Sequence, residues 1–208
     1  MTKGWPGRGL YAITPDEPDD DRLCRDVERC VRAGAAVLQY RDKIRSGDSR
    51  IRMAALLRGI CRDAAVPFVV NDDPAAARAC GADGVHLGKD ELHRLPEALA
   101  SNPPLVVGVS CYDSLDRARA AVAAGVHHVA FGSVFGSSTK PTAPRCALET
   151  LRAARLELDV PIVAIGGITP ENGRAALAAG ADFLAVIAGV FAAPDIGEAV
   201  RRYVKLFS

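Results

Sequence analysis

The sequence predicts an α/β fold, a (β/α)8 TIM barrel that spans residues 1–208 as a single domain. Three observations predict it. First, a short pattern recurs: "RAGAAVLQ", "ACGADGVHLG", "AAGVHHVAFG" and "AAGADFLAVIAG" each close an Ala- and Arg-rich helix at a glycine and then enter an apolar strand. Glycine stops a helix because it takes the left-handed conformation cheaply. Second, the strands read as continuous apolar runs, as parallel strands covered on both faces do. Third, eight such units share 208 residues at 26 each, compact but sufficient for a closed barrel. An open doubly wound sheet would not need eight evenly spaced units, and no G-x-G-x-x-G follows the first strand.

In chain order the strands are "GLYAIT", "AVLQYRD", "PFVVND", "GVHLG", "LVVGVS", "HVAFGSV", "PIVAIGG" and "FLAVIAG". Helical segments such as "SLDRARAAVAAG" and "ALETLRAARLEL" separate them. The one long irregular stretch, "SVFGSSTKPTAPRC", follows the sixth strand. Its small polar residues, glycine and two prolines make it a loop, and a long loop on the catalytic face of a barrel often serves as a mobile lid.

Composition removes several classes of function. The chain is 49% hydrophobic and 25% charged, with a formal net charge of +1. It carries no basic stripe suited to nucleic acid or a membrane surface, and its apolar runs are too short to span a bilayer. The start, "MTKGWPGRGL", lacks the apolar core of a signal peptide. A soluble, cytoplasmic protein is expected, with no nucleic-acid or membrane partner; the sequence leaves a homo-oligomer open. The cysteines Cys24, Cys30, Cys61, Cys80, Cys111 and Cys146 are scattered and form no C-x-x-C pair. They fit reduced cytosolic thiols better than a disulfide framework or a sulfur-ligated metal.

Barrel active sites lie at the C-terminal ends of the strands, and the polar residues expected there fall into three groups. In "VLQYRDK", Gln39, Arg41 and Lys43 stand at every second position, so a strand would project them from one face. With Lys140, and with Asn71 and Ser110 as hydrogen-bonding partners, these cations suit a phosphate or diphosphate. Asp72, with Asp90 or Glu91, offers hard oxygen ligands for Mg2+ bridging to a phosphate. Gly166, Gly167 and the "VIAG" turn offer backbone N–H groups for a second phosphate, as the seventh and eighth loops of barrels commonly do.

Each feature has a plain structural alternative. A cation at a strand end can be a solvated residue, "NDDP" a helix cap followed by proline, "GGIT" an ordinary turn and His86 a satisfied structural histidine. Cys24, Cys30, His127 and His128 receive no role. Convergence favours a site, because all three groups fall on one rim, at the ends of seven of the eight strands. No nucleophile with a plausible base and no H-x-x-x-H pattern is present. The site is built to grip anions, and two phosphate sites point to two phosphorylated small-molecule substrates or one with phosphate at each end.

Taken together, "QYRDK", "VNDD", "GVHLGKDEL", "GVS", "FGSVFGSSTKP", "IGGITPEN" and "VIAGVF" resemble the thiamine phosphate synthase family, in order and spacing, over nearly the whole chain. The resemblance implies a transferase that joins a hydroxymethylpyrimidine diphosphate to a phosphoethyl thiazole, releasing diphosphate, with Mg2+ as cofactor. It implies that Gln39, Arg41, Lys43, Asn71, Ser110 and Lys140 hold the pyrimidine diphosphate, with Arg41, Lys43, Ser110 and Lys140 as the catalytic set. It implies Asp72 and Glu91 as metal ligands, and Ser137, Ser138, Thr139, Gly167, Ile187 and Ala188 around the thiazole phosphate. Three positions depart from the family's habit: Glu91 stands where aspartate is usual, with Asp90 adjacent; Gly136 stands where proline is usual; Ala188 stands where serine is usual. Two rival readings are a thiazole tautomerase of the same family and a non-catalytic barrel that binds a phosphorylated metabolite. The tautomerase branch uses a histidine where this chain has Ser133, and simple binding needs no metal; both facts favour the synthase.

Overall fold

The structure, a computed structural model, describes residues 5–136 and 145–208. Eight strands form a closed barrel in sequence order: β1 (Gly9–Ile13), β2 (Val37–Tyr40), β3 (Phe68–Asn71), β4 (Gly84–Leu87), β5 (Val106–Tyr112), β6 (His128–Phe131), β7 (Ile162–Ile165) and β8 (Phe183–Val186). Every neighbouring pair is parallel, and β8 closes onto β1. All eight predicted strands are present, and most end earlier than the apolar runs do. β2 stops at Tyr40, so Arg41 and Lys43 lie just beyond it.

The period of two explains why the strands are apolar throughout. Tyr11, Ile13, Val37, Val69, Ala130, Val163, Phe183 and Ala185 form one buried cluster inside the barrel. The intervening residues, among them Leu10, Leu38, Phe68, Val107, Phe131 and Leu184, pack in a second cluster with the helices. A strand with both faces covered cannot alternate with polar residues. Each fully buried Leu, Val or Phe in these layers contributes roughly 1.5–3 kcal/mol relative to exposure.

The helices α1 (Asp20–Arg32), α2 (Gly47–Asp63), α3 (Pro74–Cys80), α4 (Leu95–Leu99), α5 (Leu115–Ala123), α6 (Leu148–Glu157), α7 (Gly173–Ala178), α8 (Ala188–Phe191) and α9 (Ile196–Val204) surround the sheet. Four of them, α1, α3, α5 and α9, start by the capping rule: the side chains of Asp19, Asp73, Ser114 and Asp195 accept hydrogen bonds from the backbone N–H groups of Arg22, Ala76, Arg117 and Glu198. A 3-10 segment, Lys89–Arg94, precedes α4.

The sequence repeat acquires a structural reason. In "ADGV" and "ADFL", Asp83 and Asp182 accept the N–H groups that open the preceding strands, from Phe68 and Ile162, both at 2.8 Å. In "VHHV", His127 occupies the equivalent place, and its Nδ1 accepts the Val107 N–H at 3.0 Å. His127 is therefore a strand anchor.

Candidate active site

The C-terminal ends of the strands open into a cavity of about 420 Å³. Gln39, Arg41, Lys43, Asn71, Asp72 and Ser110 line it on one side, and Gly167, Ile187 and Ala188 on the other. The shared face expected of Gln39, Arg41 and Lys43 thus persists past the strand's end. The opposite set, Tyr40 and Asp42, turns away: the Tyr40 hydroxyl donates to Asp42 Oδ2 at 2.6 Å. Asp42 also accepts the N–H groups of Ile44 and Arg45 and the Arg45 guanidinium. Burial alone would raise its carboxyl; these hydrogen bonds outweigh it and bring the group down to about 2. Asp42 folds the segment after β2 into the shape that aims Arg41 and Lys43 inward.

Four polar side chains form a continuous chain across the barrel mouth. The Tyr11 hydroxyl donates to Gln39 Oε1 at 3.0 Å, Gln39 Nε2 donates to Asn71 Oδ1 at 2.8 Å, and Asn71 Nδ2 donates to Asp72 Oδ2. Burial pushes the Tyr11 hydroxyl upward, so it stays a donor. Strand register makes the chain possible, because Ile13 pairs with Gln39, Gln39 with Val69, and Asn71 with His86. Gln39 is 3% exposed, so this polar residue is buried with its amide partnered at both ends.

Asp72 is held in an unusual conformation. Its φ of +65° is left-handed, uncommon for a residue with a side chain. The Asp72 N–H donates to His86 O at 2.8 Å, and Arg94 Nη1 donates to Asp72 O at 2.9 Å. The Gly88 N–H donates to Asp72 Oδ1 at 2.8 Å, and Lys43 Nζ lies 3.6 Å from Oδ2. Asp73, in contrast, caps α3, the plain reading of "NDDP", while Asp72 lines the cavity. Tyr112 and Ser133 also have positive φ and also line the cavity. Such strain concentrates where geometry serves a site.

Glu91 completes the acidic group. A Cβ placed on Gly88 would meet Glu91 Oε2 at 2.9 Å and Asp72 Oδ1 at 3.2 Å. Only a glycine lets two carboxylates approach one point in this way. Asp90 is exposed, whereas Glu91 is half-buried. Among the described residues no cluster of three or more His, Cys, Asp or Glu is arranged for a metal. Asp72 lines the cavity and Glu91 stands behind Gly88, outside its lining; two neighbouring carboxylates suit Mg2+, which takes most of its ligands from water and substrate phosphate.

The double glycine after β7 receives the start of the long loop. The N–H groups of Val134 and Phe135 donate to Ile165 O and Gly166 O at 3.1 and 2.9 Å. A Cβ on Gly167 would lie 2.1 Å from Gly136 O, which no side chain tolerates. Gly136 itself has φ +82°, closed to the proline usual in the family pattern. Ser137, Ser138, Thr139 and Lys140, and with them the expected lid, lie outside the described residues.

Three participants carry no clear sequence signal, and a fourth has a plain structural reading. Asp16 pairs with Arg41 (Nη1 to Oδ2, 3.1 Å) and accepts the Lys43 N–H at 2.8 Å. Its only sequence cue is its place shortly after β1, the one strand end that contributes no group to the expected site. Tyr11 and Arg94 orient Gln39 and Asp72. His86, read as structural, lines the cavity, with Nε2 2.9 Å from Ser110 Oγ.

A closed (β/α)8 barrel whose mouth gathers cations, paired carboxylates and glycine backbone belongs to the class of barrels that bind phosphorylated small molecules. The family model described as "Thiamine monophosphate synthase" matches residues 10–190. The chain is 48% identical over 200 residues to the thiamine-phosphate synthase of Aromatoleum aromaticum, covering 96% of each chain. It is 45% identical to that of Methylococcus capsulatus, covering 98% of this chain and 91% of the relative. Among solved structures, a thiamine phosphate pyrophosphorylase from Pyrococcus furiosus superposes with a TM-score of 0.86 at 32% identity, covering 96% of this chain and 95% of that one. This chain belongs to the thiamine monophosphate synthase family.

Proposed function

We infer that the chain is a transferase that makes thiamine phosphate from a hydroxymethylpyrimidine diphosphate and a phosphoethyl thiazole, releasing diphosphate. The observation that carries this reading is the convergence of Lys43, Asp72 and Glu91 on one rim, braced by the chain from Tyr11 to Asp72. Family membership and full-length relatives support it.

The reaction asks the protein to separate charge. The carbon–oxygen bond to diphosphate breaks and leaves a pyrimidine-methyl cation, stabilised by its electron-rich ring; the thiazole nitrogen then attacks. No protein nucleophile is needed. Arg41, Lys43 and Lys140 neutralise the growing negative charge on the leaving group, with Gln39, Asn71 and Ser110 as hydrogen-bonding partners. Asp72 and Glu91 would hold Mg2+, which supplies further neutralisation of diphosphate when bound. Gly167 and the backbone at Ile187 and Ala188, with Ser137, Ser138 and Thr139, hold the thiazole phosphate. Exclusion of water, which could otherwise capture the cation, is the role expected of the "SSTKPTAP" segment after β6, outside the described residues.

This reading makes the protein a single-domain cytoplasmic enzyme over residues 1–208 with two phosphorylated small-molecule substrates. Among the described residues no helix is long and apolar enough to cross a membrane. The tautomerase alternative finds Ser133 buried, with no imidazole at that place. The direct test mixes protein, both substrates and Mg2+, and follows thiamine phosphate and diphosphate together. Release of neither product sinks the reading; isomerisation of a thiazole carboxylate phosphate instead would favour the tautomerase.

A further inference from the structure

Three rings are stacked in a column inside the barrel. Trp5, the one tryptophan of the chain, lies against His128 with ring centroids 5.6 Å apart and planes 20° from parallel. His128 lies against His86 at 5.6 Å and 27°. His128 Nε2 is 3.4 Å from His86 Nδ1, and His86 Nε2 is 2.9 Å from Ser110 Oγ. The column therefore ends on a hydroxyl in the cavity wall. Gly108 makes room for it: a Cβ there would lie 2.0 Å from His128 Nε2.

The direction of these hydrogen bonds follows from one atom. His128 is 1% exposed, and its Nδ1 is buried without a hydrogen-bond partner among the described residues. Burial first, then the neighbouring His86, hold the imidazole well below its ordinary range, so the ring is neutral and carries one proton. A proton on Nδ1 would be a buried N–H with no acceptor, which is rarer in proteins than an unused acceptor. The proton therefore sits on Nε2 and is donated to His86 Nδ1. His86 must then carry its own proton on Nε2 and donate it to Ser110 Oγ. The Ser110 oxygen is occupied as an acceptor, and its hydroxyl proton is left to point into the cavity.

We propose that His128 is a positioning residue: through His86 it sets the Ser110 hydroxyl as a donor toward the anion bound in the cavity. The opposite tautomers would turn the Ser110 proton back toward His86 and present a lone pair to that anion. The proposal rests on Ser110 belonging to the diphosphate site.

Two measurements test it. In protein with 15N-labelled histidine, the long-range nitrogen–proton spectrum reads each tautomer without substrate or turnover, so it stands apart from any failure of the synthase reading. The expected result is Nε2–H for both His86 and His128; Nδ1–H on His86 overturns the proposal. The second is a double-mutant cycle read by calorimetry with Mg2+ and inorganic diphosphate. His128→Leu should weaken diphosphate roughly tenfold in the parent and by less than about twofold in Ser110→Ala. His128→Gln, which keeps an N–H toward His86, should restore most of the affinity. Equal losses in both backgrounds, or no restoration by Gln, would show a packing role only and overturn the assignment.

Discussion

One carboxylate braces two cations: Asp16 Oδ2 lies 3.1 Å from Arg41 Nη1, while Asp16 Oδ1 accepts the Lys43 backbone N–H at 2.8 Å. Asp16 follows β1, and Arg41 and Lys43 follow β2, so the pair ties two neighbouring loops at the cavity mouth. Both side chains of the ion pair keep some contact with solvent, and such a pair stabilises the fold by at most about 1 kcal/mol. Its use is orientation. Asp16→Ala should raise the KM for the pyrimidine diphosphate several-fold while the melting temperature moves little. An unchanged KM would remove Asp16 from the site.

Lys43 reaches the cavity with its side chain 57% exposed and Asp72 as its ion-pair partner. Folding therefore depends on it weakly. Lys43→Ala should cost roughly 1.5–3 kcal/mol of transition-state stabilisation, the loss of one charge-assisted contact to phosphate. Steady-state kinetics with varied pyrimidine diphosphate decides it: kcat/KM should fall by one to two orders of magnitude. Parent-like kinetics would mean that the ammonium does not meet the diphosphate.

The acidic pair makes a prediction about Mg2+ itself. Asp72 and Glu91 face each other across Gly88, and Asp90 is exposed. Asp72→Ala and Glu91→Ala should each raise the Mg2+ concentration needed for half-maximal turnover, and Asp90→Ala should leave it nearly unchanged. A Mg2+ titration of the three variants gives the answer. If Asp90→Ala is the damaging change, the second ligand stands one residue earlier; if none responds, the metal is bound elsewhere.

Stability should fall on mild acidification. Burial holds His127 below its ordinary value and His128 well below it. In the unfolded chain both would take up a proton near pH 6.5. A depressed pKa means the unfolded state binds more protons, so the stabilising contribution is full above about pH 6.5 and declines as pH falls toward the folded values, more for His128 than for His127. His127→Asp substitutes the residue that anchors the sister strands at Asp83 and Asp182. It should fold and should make the decline below about pH 6.5 less steep. Urea unfolding at several pH values measures the slope; an unaltered slope would count against a neutral His127 anchor.

The sequence by itself determined the eight βα units and the face on which Gln39, Arg41 and Lys43 lie, because both depend on local rules: a period of two along a strand and a glycine where a helix stops. It also marked the acidic residues after β3 and β4 and the double glycine after β7 as belonging to one rim. Tertiary structure decided which member of each local set does what. Asp72 enters the site and Asp73 caps a helix because the backbone turns left-handed at Asp72, held by His86, Gly88 and Arg94 from elsewhere in the chain. Asp16 meets Arg41, and His128 meets His86 across 42 residues, only when the barrel closes. Closure forces inward-facing residues of different strands into one narrow space, and no local pattern reports which of them then touch.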